Sequence, residues 1–238
     1  MVTPINDRNR IDKLLSFLAA SYPKAKIVLH YKTSWELLVS VILSAQCTDV
    51  MVNKVTEKLF AKYRTLGDYV AAPISDFEKD IKSTGFYHNK AKNIVASARM
   101  VKEKFGGKVP RTMEEILTLP GVARKTANVV LGNAYGVIEG IAVDTHVHRL
   151  SQRLRLIDLT KIGGKKLMVF EYGGKPVVDY IKDADPTKIE KELMGVIPRD
   201  QWFTINHRLI DHGRAVCKAQ NPDCDNCVLN KLCPSSRV

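Results

Sequence analysis

The sequence has no apolar run long enough to cross a membrane as a helix. Its most apolar stretch, Leu37 to Ala45, is broken by Ser40 and Ser44 and falls short of the ~20 residues a span requires. The opening residues, Met1 to Arg10, are polar and hold no signal-peptide core, so a reducing intracellular compartment is expected. Cysteine is scarce, with five in 238 residues. In that compartment a disulfide framework is not expected, and ligation of a metal or cluster is the better reading. Acidic residues are outnumbered: 25 Asp and Glu face 37 Lys and Arg, a net charge of +12. Such an excess suits a polyanionic partner, because each neutralised phosphate releases condensed counterions. A basic but indifferent surface gives the same sum, so charge alone does not decide. Repeats and low-complexity tracts are also missing.

What is present reads as helix after helix. Trp35 to Gln46 is apolar on nearly all sides, the pattern of a helix buried within a bundle. Asn89 to Phe105 spaces Ala91, Ile94, Val95, Ala98, Val101 and Phe105 at helical intervals. Thr112 with Glu115 forms a capping box that starts a short helix ending near Leu119-Pro120. Lys125 to Ala134 continues after a Pro-Gly turn, and further helices are expected over Thr145 to Leu154, Thr187 to Val196 and Gln201 to Gly213. No alternating strand of useful length stands out, so the fold class is all-α. Gly and Lys thicken between Lys161 and Lys175, which reads as a loop or excursion.

Four of the five cysteines, Cys217, Cys224, Cys227 and Cys233, are separated by six, two and five residues, so a 17-residue loop can wrap one inorganic centre. Four thiolates take either zinc or an iron–sulfur cluster. Zinc ribbons pair two Cys-x-x-Cys knuckles, whereas this tail has one with wider arms, so the spacing favours [4Fe–4S]. Cys47 stands apart in the apolar helix and reads as a small core residue.

Leu119-Pro120-Gly121-Val122-Ala123-Arg124-Lys125 joins two helices through a tight hairpin. Gly121 can take positive φ without a Cβ penalty. Amides then point outward at the positive end of the next helix, a site for a DNA phosphate. Taken alone, such a turn is more often just a corner in a bundle. Lys125 falls in the first helical turn beside Arg124, where the dipole and a neighbouring cation both disfavour a charged ammonium. A neutral lysine amine is a nucleophile, although most lysines are only solvated charge. Asp144 sits at the start of a later helix, either as its N-cap or as a carboxylate held near a sugar. His146 and His148, two residues apart on a helix, point in different directions and make a poor metal site.

Taken together, these residues resemble the endonuclease III branch of the helix–hairpin–helix DNA glycosylases. The resemblance runs from Ser44-Ala45-Gln46-Cys47-Thr48-Asp49 through Gly85-Phe86-Tyr87-His88-Asn89-Lys90-Ala91, Leu119 to Leu131 and Val143-Asp144-Thr145-His146 to the four-Cys loop. It implies two helical lobes with DNA across the cleft: a six-helix barrel carrying the hairpin, 28–137, and a discontinuous helical cluster domain, 1–27 plus 138–238. It implies a bifunctional glycosylase and abasic-site lyase, in base excision repair, that removes oxidised pyrimidines. Lys125 would be the nucleophile that displaces a flipped-out base and forms a Schiff base, and Asp144 the catalytic carboxylate. Strand cleavage by β-elimination follows. A [4Fe–4S] cluster on Cys217, Cys224, Cys227 and Cys233 is implied. So is a DNA-contacting set of Gln46, Phe86, Gly121, Ala123, Arg124 and Lys218. Gln46 and Phe86 match positions that wedge into the duplex, although Phe86 reads equally well as core. The partner expected is double-stranded DNA with damaged bases or abasic sites, with no membrane. A monomer is expected, cytoplasmic and on the nucleoid in a prokaryote.

Three departures stand out. Ala123 replaces the second Gly of the usual Gly-Val-Gly hairpin, Lys218 is the only basic residue between Cys217 and Cys224, and Ile157 to Pro186 is longer than in a compact family member. Two rival readings remain open. A monofunctional adenine or thymine mismatch glycosylase lacks the hairpin lysine. Its adenine branch also has a Glu where this chain reads Ser40-Val41-Ile42-Leu43 and carries a further domain, while this sequence runs five residues past Cys233. A non-enzymatic iron–sulfur DNA-binding module gives no reason for Lys125 and Asp144 to stand in the family's register.

Overall fold

A computed structural model describes residues 7–238. Most of Met1 to Arg10, and with it the reading of a missing signal-peptide core, lies outside those residues. In chain order the helices are α1 (Arg8–Ser21), α2 (Ser34–Leu43), α3 (Asp49–Lys62), α4 (Leu66–Ala71), α5 (Ile74–Ile81) and α6 (Tyr87–Lys104). They continue as α7 (Met113–Ile116), α8 (Arg124–Tyr135), α9 (Thr145–Arg153), α10 (Pro186–Val196) and α11 (Trp202–Ala215). Between α9 and α10 lies an antiparallel pair, β1 (Leu167–Tyr172) and β2 (Lys175–Ile181). The fold is all-α with this one small sheet among the described residues. No helix among them is long and apolar enough to cross a membrane. The chain divides into two compact units: one spans 27–139, the other takes in the chain up to Lys26 and from Gly140 onward.

The 27–139 unit is built around α2. Every residue from Leu37 to Leu43 is buried, so α2 carries apolar side chains at each of these positions but Ser40, and α3, α6 and α8 pack against it. Thr33 starts the helix by accepting from the Glu36 amide at 3.1 Å. It ends at Leu43 rather than at Gln46, because Gln46 turns left-handed at φ 52°. Cys47 therefore lies in the turn beyond the helix and is half-buried there. Helix α6 buries Ala91, Ile94, Val95, Ala98 and Val101, the stripe its spacing predicts. The Thr112 hydroxyl caps α7 by accepting from the Glu115 amide. Tyr69 seals one end of the unit, edge-on to Trp35 at 5.2 Å and beside Phe77.

In the other unit Leu14 and Leu18 of α1, Val147 and Leu150 of α9, Leu193 of α10 and Leu209 of α11 share one core. Cys217, Cys227 and Cys233 pack against that same core, so the cysteine loop is anchored to the helices. Buried Arg10 ties α1 to the rest by donating to the carbonyls of Leu154 at 2.8 Å, Arg155 at 2.9 Å and Leu232 at 3.2 Å.

The β-hairpin corrects the expectation of a loop over Lys161 to Lys175. Its strands are rich in β-branched and aromatic residues, and Gly173 and Gly174, at φ 58° and 72°, supply the two positive-φ positions of a type I′ turn. Alternation is hidden for two reasons. Five of the six β1 residues are exposed, and the register shifts between Met168 and Val169.

Candidate functional site

The turn ahead of α8 is fixed by one glycine and one side-chain hydrogen bond. Gly121 adopts φ 77°, and its carbonyl neighbour Pro120 is held by the Ser97 hydroxyl at 2.8 Å. A Cβ on Gly121 would stand 2.8 Å from Asn93 Cβ, so glycine is required both for φ and for space. Ala123 is the N-cap of α8 at φ −94° and ψ 169°. Any residue adopts that conformation, so alanine costs nothing there. Arg124 and Lys125 are the first two residues of α8, both half-buried.

Gln46 and Phe86 are both exposed, Phe86 by 65%, so Phe86 is not a core residue. Both have positive φ, 52° and 49°, and both line one pocket with Asn93 and Gly121. Beneath them lies Lys90, 5% exposed. Its ammonium donates to Leu43 O and to Thr84 O, each at 2.8 Å, and burial holds it below the usual lysine range against the opposing pull of Cys47. One cation thus ties together the two turns that carry Gln46 and Phe86. Sequence reasoning quoted Lys90 without giving it a task. The available signal was its position on the apolar stripe of α6.

Asp144 is the N-cap of α9. Its Oδ1 accepts from the amides of His146 at 2.9 Å and Val147 at 2.8 Å, and Oδ2 is not used by either bond. His146 and His148 turn to different partners: His146 Nδ1 to Arg149 at 3.4 Å, His148 Nε2 to Ala184 O at 3.1 Å. His207 on α11 is buried with its Nε2 unpaired. Burial lowers its pKa, while Asp211 and Asp144 push it the other way.

Cys217, Cys224, Cys227 and Cys233 line one pocket, together with Arg153 and His212. Burial pushes the Cys233 thiol up to about 12 and raises Cys227 as well, so a cation is needed to hold them as thiolates. Among the described residues, no group of three or more His, Cys, Asp or Glu is placed to hold a single metal ion. Four thiols that line one pocket are the donor set that an iron–sulfur cluster takes. Two side chains already face the sulfurs: Arg153 Nη1 donates to Cys217 Sγ at 3.4 Å, and His212 Nε2 lies 3.6 Å from Cys227 Sγ. The Lys218 side chain is exposed, and its carbonyl is taken by Arg153 at 2.7 Å. Arg153 went unnoticed in the sequence, although an arginine one turn after Leu150 on a buried helix face is itself unusual.

Residues 39–169 match the HhH-GPD superfamily of base excision DNA repair proteins. Residues 217–233 match the iron–sulfur binding domain of endonuclease III. The chain is 46% identical to the endonuclease III of Synechocystis over 97% of its own length and 94% of that protein. To the endonuclease III of Bacillus subtilis it is 43% identical, over 94% and 91%. A solved non-covalent endonuclease III–DNA complex superposes with TM-score 0.83 at 42% identity, covering 99% of this chain and 97% of that one. A trapped endonuclease III–DNA covalent intermediate superposes with TM-score 0.82 at 42% identity, over 99% and 98%.

Proposed function

The chain belongs to the HhH-GPD superfamily of base excision DNA repair proteins, and from that premise we propose that it is a bifunctional glycosylase and abasic-site lyase of the endonuclease III kind. The observation that carries this reading is the placement of Lys125. It is the second residue of the helix that follows the Gly121 turn, so phosphate capture and the amine share one helix start. The carboxylate of Asp144 begins the next helix.

The partner is duplex DNA with damaged bases or abasic sites, and oxidised pyrimidines are the substrate class. Amides at the start of α8 hold a phosphate, with Arg124 adding charge. Phe86 and Gln46 enter the duplex and fill the space that the extruded nucleotide leaves. The neutral Lys125 amine forms a bond to C1′ as the bond to the base breaks, and the base departs with the proton the amine gives up. Asp144, fixed by its cap bonds, stabilises positive charge as it develops on the sugar. The nitrogen lone pair then opens the sugar ring, the C1′–O4′ bond breaking and O4′ taking a proton from water, to leave a protonated Schiff base. This acidifies the 2′ proton, and loss of that proton expels the 3′ phosphate by β-elimination. The 27–139 unit supports reading 28–137 as the barrel lobe. Cys217, Cys224, Cys227 and Cys233 hold a [4Fe–4S] cluster, with Lys218 on the loop surface near DNA. Bound, the cluster cross-links the loop and tail and supplies a one-electron centre. The protein acts as a monomer inside the cell, on the nucleoid.

Borohydride tests this reading. Incubation with duplex carrying thymine glycol or an abasic site, followed by reduction, yields a covalent complex that Lys125→Gln abolishes. Trapping that survives the substitution overturns Lys125 as nucleophile.

A further inference from the structure

We infer that the β1–β2 hairpin braces the iron–sulfur loop, and that Arg153 is the positioning residue through which it acts. This rests on the cluster reading above. Arg153 ends α9 and Asp179 lies on β2, and their side chains are 2% and 5% exposed. The guanidinium offers five N–H donors in a rigid fork, and every one has a partner. Nε meets Asp179 Oδ1 at 2.8 Å. Nη2 meets Asp179 Oδ2 at 2.6 Å and Ala219 O at 3.0 Å. Nη1 meets Lys218 O at 2.7 Å and Cys217 Sγ at 3.4 Å. One side of the fork is held by the hairpin. The other fixes the first three residues of the cysteine loop, including a ligand sulfur.

Strand β2 is fastened so that Asp179 stays at this place. Gln152 accepts from the Ile181 amide at 2.7 Å and donates to its carbonyl at 3.2 Å. Arg155, itself left-handed at φ 48°, donates to the carbonyls of Val178 and Asp179. Arg237 reaches Asp179 at 3.5 Å while stacked 4.6 Å over Phe170. By contrast, β1 leaves Leu167 and Val169 55% and 59% exposed. Packing of the outer strand therefore does not explain why the hairpin is held. What it buries is Asp179 and Ile181, the residues that face Arg153 and α9.

A buried guanidinium without its carboxylate is an uncompensated charge and moves toward water. Cys217 would then lose its N–H donor, and Lys218 and Ala219 their anchor. Donors to ligand sulfurs set how firmly a cluster is held and how its electrons are distributed.

The test uses the full-length holoprotein and follows iron release to a ferrous chelator under ferricyanide, together with the Fe–S(Cys) stretches in the resonance Raman spectrum. Wild-type iron content reads the cluster itself, and a wild-type protein without iron overturns both the cluster and the brace. Asp179→Asn is expected to release iron about tenfold faster and to shift the Raman bands, whereas Glu171→Gln on exposed β1 leaves both unchanged. The double variant Arg153→Met with Asp179→Leu replaces the buried pair by apolar groups and is expected to melt above Asp179→Asn, because no buried guanidinium is left uncompensated at position 153. It is expected to keep the fast iron release and shifted bands, and it carries the test if Asp179→Asn does not fold. A lifetime and spectrum like the wild type in either variant overturns the brace.

Discussion

Gln46 and Phe86 share a left-handed backbone conformation, φ 52° and 49°, on two separate turns of the 27–139 unit. For a bulky aromatic such as Phe86 this is a true outlier, costing on the order of 1–3 kcal/mol. Packing does not offset it, because the ring is 65% exposed. Strain without burial marks a residue kept for what it contacts outside the fold. Phe86→Gly should therefore melt at or above the wild-type temperature while excising a base-paired lesion at least about tenfold more slowly, a rise of about 1.4 kcal/mol in the barrier. A marked drop in melting temperature would show instead that the ring holds the fold together.

Lys90 makes a different prediction. Removing its ammonium leaves Leu43 O and Thr84 O buried without a donor, at about 1–3 kcal/mol each. Lys90→Met should lower stability by about 2–6 kcal/mol in urea unfolding. Because it loosens the turns that carry Gln46 and Phe86, it should slow base excision more than strand cleavage at a preformed abasic site if those residues enter the duplex as proposed. Equal slowing of the two reactions would place Lys90 in general stability alone.

The sequence spoke clearly where one residue type has one physical use. A four-cysteine loop, a Pro-Gly turn and the apolar stripe of α6 each admit few structures, and the helices followed from them. It was silent where a residue's role depends on a partner far along the chain. Arg153 reads as one more surface cation until Asp179, 26 positions later, is folded against it. The hairpin that brings Asp179 there was hidden because its exposed outer strand shows no alternation. Positive φ at Phe86 is equally invisible in a residue letter, which is why the sequence left a core role open for a residue that is exposed.

The hairpin turn offers a paired test. Gly121→Ala meets Asn93 at 2.8 Å and must hold φ 77°, so it should cost about 1–2 kcal/mol. It should also weaken binding to undamaged duplex and reduce the salt slope by about one. Ala123→Gly should do neither, because φ −94° already suits alanine. It should instead destabilise by about 0.4–1 kcal/mol through the unfolded chain. If Ala123→Gly tightened DNA binding tenfold, the alanine would have to be blocking the phosphate.

Acid should weaken the fold well before the carboxylates titrate. His207 is held below its ordinary 6.5 by burial. The folded state refuses a proton that the unfolded chain accepts. Stability from this group is therefore complete above pH 6.5 and falls as pH drops toward the folded value, by up to about 1.4 kcal/mol per pH unit. Urea midpoints measured between pH 7.5 and 5.5, with cluster absorbance intact, should fall on the acid side. His207→Gln, which cannot take up the proton in either state, should flatten that fall. If the slope is unchanged, His207 is not buried as a neutral imidazole, and the environment described around Asp144 is wrong at that residue.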